Sequence, residues 1–458
     1  MRQFFSKLFH QDDDLAVEPE ETGYDYPYSP SWPWGLKLDG HALIAGSPRT
    51  GKTTLLTRLA QEAMQQGKAV IAIDMDGVLV PALLTQLPRR RIPDVAWLRV
   101  SDPFTIPGFN VLDVSHGEPT NLIVENLVRT APLLWGDSWV PDLEEALRIC
   151  VRTLVGANRV LAERNEPQFT LLDIHQLFEL PQFCQRLLNQ YIGDQEVVRW
   201  WRALLERPAA VNRYDWVALL APLNRFSDST LGSVLGQSES TLDVSERLQP
   251  GRITLIDLRA LSWDSKLSAW FGALLADRIL RTMLAQAPVK PNGCEPGVVL
   301  AIDGDFKLPG LDEPGLLADL RERGASLFWV NQYERSVPAN VQDLFLFGMC
   351  RYWAQDLVSE LGPDFSVGDP CDLRSHEFYL RTMWKNGSRS VNRFVTPVPY
   401  KIDYEGTQPI QRGFRPVGQA GPAVKGGREQ FYARWFDREV RESLQEAERR
   451  RARETTNG

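Results

Sequence analysis

The stretch HALIAGSPRTGKTTLLTRLAQEAMQQGKAVIAID, residues 41–74, decides the fold. HALIAG at 41–46 is a mostly apolar run of strand length, and AVIAID at 69–74 is another. Between them TTLLTRLAQEAMQQG, 53–67, places its apolar residues at helical spacing and stops at Gly67. Strand, helix and strand in this order form a βαβ unit. Two strands without polar alternation need cover on both faces, so a parallel sheet with helices on both sides is predicted.

The turn inside this unit carries the sharpest motif. Gly46-Ser47-Pro48-Arg49-Thr50-Gly51-Lys52-Thr53 is the G-x-x-x-x-G-K-[ST] string of a P-loop, with Thr54 following in the first helical turn. A strand leads in and a helix leads out, so backbone N–H groups at the helix N-terminus can cradle an anionic phosphate. Lys52 would reach the outer phosphate oxygens and the Thr53 hydroxyl would bind Mg2+.

Phosphoryl transfer at such a loop also calls for a carboxylate at the end of a neighbouring strand and a group that orients water. GVVLAID, 297–303, ends at Asp303, followed by Gly304 and then Asp305. ASLFWVNQ, 325–332, ends at Gln332, an amide suited to sensing a γ-phosphate or positioning water. RITLIDL, 252–258, is a further apolar strand, followed by the helical text KLSAWFGALLADRILRTMLAQA.

The text changes between about Asn121 and Arg225, where Trp, Leu and Arg recur at helical spacing and strand signals are few. The expected architecture is therefore an α/β sheet domain at 36–120 and 226–400, interrupted by an all-helical insertion at 121–225. Residues 1–35 form a lead-in rich in Pro, Tyr and Trp towards its end. Residues 401–458 combine linker composition with a charged terminal helix, QFYARWFDREVRESLQEAERRRARE. Short strands such as EFYLRTMW are expected within 343–400.

Composition excludes several classes. With 458 residues, 43% hydrophobic and 24% charged, the chain is ordinary globular material able to bury a large core. The net charge of −8 gives no bulk attraction to nucleic acid, so any DNA contact must come from a local basic surface. Five cysteines without a C-x-x-C pair, and five scattered histidines, support neither a disulfide framework nor a zinc cluster. No apolar run approaches ~18 residues and the start, MRQFFSKLFHQDDD, lacks the core of a signal peptide, so a cytoplasmic location is expected. Phe4, Phe5, Leu8 and Phe9 beside Arg2 and Lys7 allow one amphipathic turn at a membrane surface or partner, set against an ordinary frayed end.

The order of these segments resembles the HerA/FtsK superfamily. The P-loop is followed by IDMDGVLVPALLTQLP, DVAWLRVSDPFTIPGFNVLD, a helical block, LNRF, GRITLIDL, VVLAIDGD, LLADLRERGASLFWVNQ and FLFGMCRYW, over roughly 36–400. It is most similar to the coupling ATPases of type IV secretion and conjugation and their HerA-like relatives. The resemblance implies a RecA-like fold, ATP and Mg2+ as cofactors, and a ring, typically a hexamer, that moves DNA through its channel. It also implies secretion-channel or relaxase-type partners and a location peripheral to the inner face of the membrane.

Carried over residue by residue, Gly46, Gly51, Lys52 and Thr53 match the P-loop, Asp303 the Walker B aspartate, and Gln332 the glutamine ending the next strand. Arg321 in LLADLRERG and Arg225 in LNRF match recurring arginines that, in the family, can reach a neighbouring subunit's γ-phosphate; an ordinary ion pair is the alternative for each. Family members read Asp-Glu where this chain has Asp303-Gly304, and D-P-H-G-D-L where it has Asp74-Met75-Asp76-Gly77-Val78-Leu79. Loss of the glutamate predicts hydrolysis slowed roughly a hundredfold or more, unless Asp305 substitutes. The competing expectation is a family member that binds ATP as a switch and serves as scaffold or regulatory subunit. A P-loop small-molecule kinase fits less well, since no arginine-rich lid is evident and the helical block is long.

Overall fold

The computed structural model describes residues 40–396, apart from 88, 101–106, 207–212, 227–228, 263, 288–296, 309, 312–314, 333–335 and 384–387. The lead-in, the amphipathic turn near the start and the charged helix near the end lie outside the described residues. Nine strands form one sheet in the order β3-β4-β2-β5-β6-β1-β7-β8-β9. They are β1 His41–Ala45, β2 Ala69–Asp74, β3 Val95–Arg99, β4 Ile253–Asp257, β5 Val298–Asp303, β6 Ala325–Asn331, β7 Val341–Phe347, β8 Glu377–Met383 and β9 Arg389–Val395. β3 through β7 in this order are parallel, and β8 and β9 extend one edge antiparallel.

The predicted strands at 41–46, 69–74, 252–258, 297–303 and 325–332 all form, each trimmed by at most two residues. Alternation within them sorts side chains to two apolar layers. Ala42, Ile44, Val70 and Ala72 face the layer built with Leu55, Leu56, Leu59 and Ala60 of the helix Lys52–Gln65. Leu43, Ala45, Ile71 and Ile73 face the other, which runs on without a break into the helical block. The sheet is thus covered on both faces.

The helical block shares this core with the sheet domain. Its first helix, Thr120–Trp135, lies against the helix Ser265–Leu284, where Asn126 donates to Leu274 O (3.2 Å) and to the buried Asp277 carboxylate (2.9 Å). Arg129 and Arg281 add their charge to Asp277 at 3.6 and 3.4 Å. A buried carboxylate is tolerated only with such partners, so this contact fixes the two helices in register. Helical structure also continues past Arg225, at Thr230–Leu235 and Val244–Arg247, before β4 begins.

At the N-terminal ends of the strands His41 acts as a staple. Its Nε2 donates to Leu317 O (2.6 Å) and its Nδ1 accepts from Leu327 N–H (3.1 Å). Burial pushes its pKa down to about 4, so the ring stays neutral and ties β1 to β6 and to the helix Leu316–Glu322. Among the described residues no helix is long and apolar enough to cross a membrane.

Candidate nucleotide site

The C-terminal ends of the parallel strands carry the chemistry. β1 delivers the chain into the P-loop, and the helix Lys52–Gln65 starts there with Gly51 as its N-cap at φ 106°. Only glycine fits at 51, since a Cβ would stand 2.7 Å from His376 Nδ1. Gly46 is required by close approach, because a Cβ there would meet Phe347 Cβ at 2.6 Å. Arg49 adopts a left-handed φ of 63°, a strained conformation of the kind that functional loops hold.

Neighbouring backbone holds the loop in shape. Ser47 N–H donates to Gly348 O (2.9 Å), and His376 N–H donates to Thr50 O (2.7 Å). Lys52 is buried and its Nζ donates to Ser47 O (2.6 Å). Burial pushes its pKa down, opposed by the charges of Asp303, Asp305 and Asp76. A cation folded back on its own loop, with anionic charge nearby, is ready to swing onto phosphate oxygens.

Register sets the acidic side of the site. Asp257, Asp74 and Asp303 end three adjacent strands at the same level. Asp74 is committed to the fold: its carboxylate accepts from the N–H groups of Gly77 (2.7 Å), Val80 (2.8 Å) and Val78 (3.3 Å). Burial nevertheless raises its pKa to about 6. Asp303 differs. It accepts from the Thr53 hydroxyl through one oxygen, while buried Oδ2 has no hydrogen-bond partner among the described residues. Burial, with the charges of Asp74 and Asp76, pushes its pKa up to about 7.

An orphaned buried carboxylate oxygen beside a P-loop threonine suits an octahedral cation that takes its other ligands from phosphate and water. Among the described residues no group of three or more His, Cys, Asp or Glu could hold a metal ion. The residues therefore fit Mg2+ carried by a nucleotide, which Thr53 and Asp303 would hold together with phosphate oxygens and water.

The strand between P-loop and Asp303 is β6. Asn331 is its last residue, so Gln332 lies just beyond the strand rather than ending it. Gln332 N–H donates to Asp305 Oδ1 (2.9 Å), so Asp305 is engaged in holding the end of β6 while its charge reaches Lys52. Gly304 is closed from the other side, since a Cβ there would stand 2.4 Å from Met75 Sδ and 2.9 Å from Met75 Cβ.

The two arginines go elsewhere. Arg225 pairs with Asp264, which also caps the helix Ser265–Leu284 by accepting from Lys266 and Leu267 N–H. Arg321 is exposed on the helix Leu316–Glu322, beside His41 at the opposite end of β1 from the P-loop, a strand length of about 13 Å away. Arg321 therefore does not sit at the P-loop of its own chain. Met75 and Asp76 stand where the family reads D-P-H-G-D-L, a departure that by itself gives them no role, and no motif marks His376.

Among solved structures the chain is similar to the plasmid coupling protein TrwB in complex with ADP and Mg2+. The TM-score is 0.52 at 15% identity, over 79% of this chain and 87% of that one. The same protein in complex with the non-hydrolysable GTP analogue GDPNP gives 0.50 at 16%, over 78% and 85%. Its fold is that of TrwB. The trigonal form of TrwBdeltaN70 in complex with sulphate agrees, with 0.50 at 16% over 83% and 88%. No family model and no curated protein matches the chain in sequence. The TrwB fold agrees with the RecA-like α/β architecture expected from the P-loop outward.

Proposed function

We propose that this chain is a nucleotide-binding motor of the conjugative coupling type, taking ATP with Mg2+ at the P-loop. The observation that carries the reading is the meeting of Lys52, Thr53 and the unpartnered Asp303 Oδ2 at the mouth of the Gly46–Thr54 loop. Backbone N–H groups and Lys52 bind the phosphates, and Thr53 and Asp303 hold the metal. Mg2+ bound there would neutralise phosphate charge as the terminal bond breaks. Gln332, whose N–H is held by Asp305, would register the γ-phosphate through its amide. The motor would work as a ring, expected to be a hexamer, on DNA, with secretion-channel or relaxase-type partners, from a cytoplasmic position peripheral to the membrane.

Lys52→Ala should lower affinity for a fluorescent ATP analogue at least tenfold while leaving the melting temperature within a few degrees. Equal affinity of variant and parent would remove the P-loop reading.

Arg321 and Arg225 would complete the site of a neighbouring subunit. Arg321, at the far end of its own strands, is the better placed of the two to act only in trans. Mixing inactive Lys52→Ala with inactive Arg321→Ala is then expected to return part of the activity, because some mixed interfaces hold both intact groups. Mixed oligomers that recover nothing would assign Arg321 to its own subunit. Gly304 favours a second reading, in which ATP binding alone switches a scaffold or regulatory subunit. ATPase rates measured with and without single- and double-stranded DNA separate the two.

A further inference from the structure

The residue after Asp303 has no side chain, and no side chain can be added there without moving another. Met75 fills the volume: a Cβ on Gly304 would overlap its Sδ, Cγ and Cβ at 2.4, 2.7 and 2.9 Å, and on its other side Gly272 and Phe306 close in. Met75 is itself fixed, since its N–H donates to Asp303 O (3.0 Å) and continues the β2–β5 ladder by one residue.

The chain beyond Met75 is equally constrained. Three N–H groups, from Gly77, Val78 and Val80, converge on the Asp74 carboxylate and wrap residues 75–80 around it. Asp76 sits at the crest of this turn and is exposed. One neighbour of Asp76 is thus pinned to β5 at Asp303 O and the other to Asp74, which leaves Asp76 one residue beyond the β2–β5 contact with little backbone freedom. Its charge is felt by Lys52, Asp303 and Asp305 alike. Asp305 has one oxygen committed to Gln332 N–H, and Asp74 is taken up by the turn.

We propose that Asp76, presented from β2, is the carboxylate that orients the attacking water, taking over from the side chain that residue 304 lacks. The proposal rests on the nucleotide site described above. The water oxygen bonds to the γ-phosphorus, the bond from that phosphorus to the β–γ bridging oxygen breaks, and its electron pair leaves on ADP. The water proton passes to the Asp76 carboxylate and on to solvent, so that ATP and water yield ADP, inorganic phosphate and a proton. A carboxylate placed by two anchored neighbours loses little freedom in doing this.

The test compares the full-length parent with Asp76→Asn, Asp76→Glu and Asp305→Asn, in Mg2+, by two readouts. One is single-turnover cleavage of ATP. The other is affinity for ADP with aluminium fluoride, which imitates the transferring phosphoryl group, against affinity for ADP alone. Asp76→Asn is expected to cleave roughly a hundredfold more slowly and to lose the extra affinity that aluminium fluoride confers, while binding ADP within about threefold of the parent. Asp76→Glu should recover part of both. Asp76→Asn cleaving at the parental rate, with the loss falling on Asp305→Asn, overturns the assignment. A parent that binds ATP but cleaves none overturns it too and leaves the nucleotide site standing, whereas a parent that binds no ATP removes the site and this role together.

Discussion

Asp303→Asn is expected to make the nucleotide-free protein more stable and, at the same time, insensitive to Mg2+. Asp303 is almost fully buried, its Oδ2 has no hydrogen-bond partner among the described residues, and burial raises its pKa to about 7. A carboxyl whose folded pKa lies above its unfolded one stabilises most below the unfolded value and loses that contribution as pH rises through the folded one. At pH 8 the ionised Asp303 therefore weakens the fold by about 4 kcal/mol at most, and an amide of the same shape removes this burden. Asn still accepts from the Thr53 hydroxyl, so the loop keeps its anchor. The gain in melting temperature should be several degrees at pH 8 and should shrink steadily towards pH 5. Mg2+ should tighten ATP-analogue binding to the parent but not to the variant. A variant that melts below the parent at pH 8 would mean that Asp303 has a partner-like role in the empty fold. The same substitution at Asp74 would not stabilise, because three backbone N–H groups already use that carboxylate.

This contrast marks how far the sequence could be read. AVIAID and GVVLAID look alike as text, apolar runs ending in Asp, and both form central strands because nothing in them is polar enough to face water. The P-loop was legible because its function needs fixed residue types at fixed spacing. Which aspartate caps a turn and which is left open depends on three N–H groups that follow Asp74 and do not follow Asp303, a matter of local backbone path. VAWLR at 95–99 gives a weaker signal, being five residues with Arg99 at the end, and it forms the outermost parallel strand, where one neighbour suffices. The continuity of the helical block with the sheet core was not legible at all. It rests on Asn126, Arg129 and Asp277, which meet across about 150 residues of sequence, and no periodicity records such a meeting.

The Asp-Gly pair at 303–304 reads as a lost glutamate, and restoring it looks like a route to faster hydrolysis. The structure gives the opposite expectation for the single change. Gly304→Glu forces a Cβ against Met75, a buried side chain whose Sδ lies against Gly272 and whose backbone is anchored to Asp303 O, so overpacking should cost about 1–3 kcal/mol with no gain in turnover. Met75→Ala alone leaves a cavity and costs about 2–5 kcal/mol. Together the two changes relieve each other in part, since the Sδ and Cγ contacts go while the 2.9 Å approach to the Cβ of residue 75 stays. Denaturant melts of the parent, both single variants and the pair should then show the pair losing less than the sum of the singles, by about 1 kcal/mol or more. The pair is also where turnover should rise, because a carboxylate directly after Asp303 would join the one proposed at Asp76 in orienting water. Strict additivity, or a single Gly304→Glu variant that is as stable as the parent and faster, would show that Met75 yields freely and is not what keeps position 304 bare.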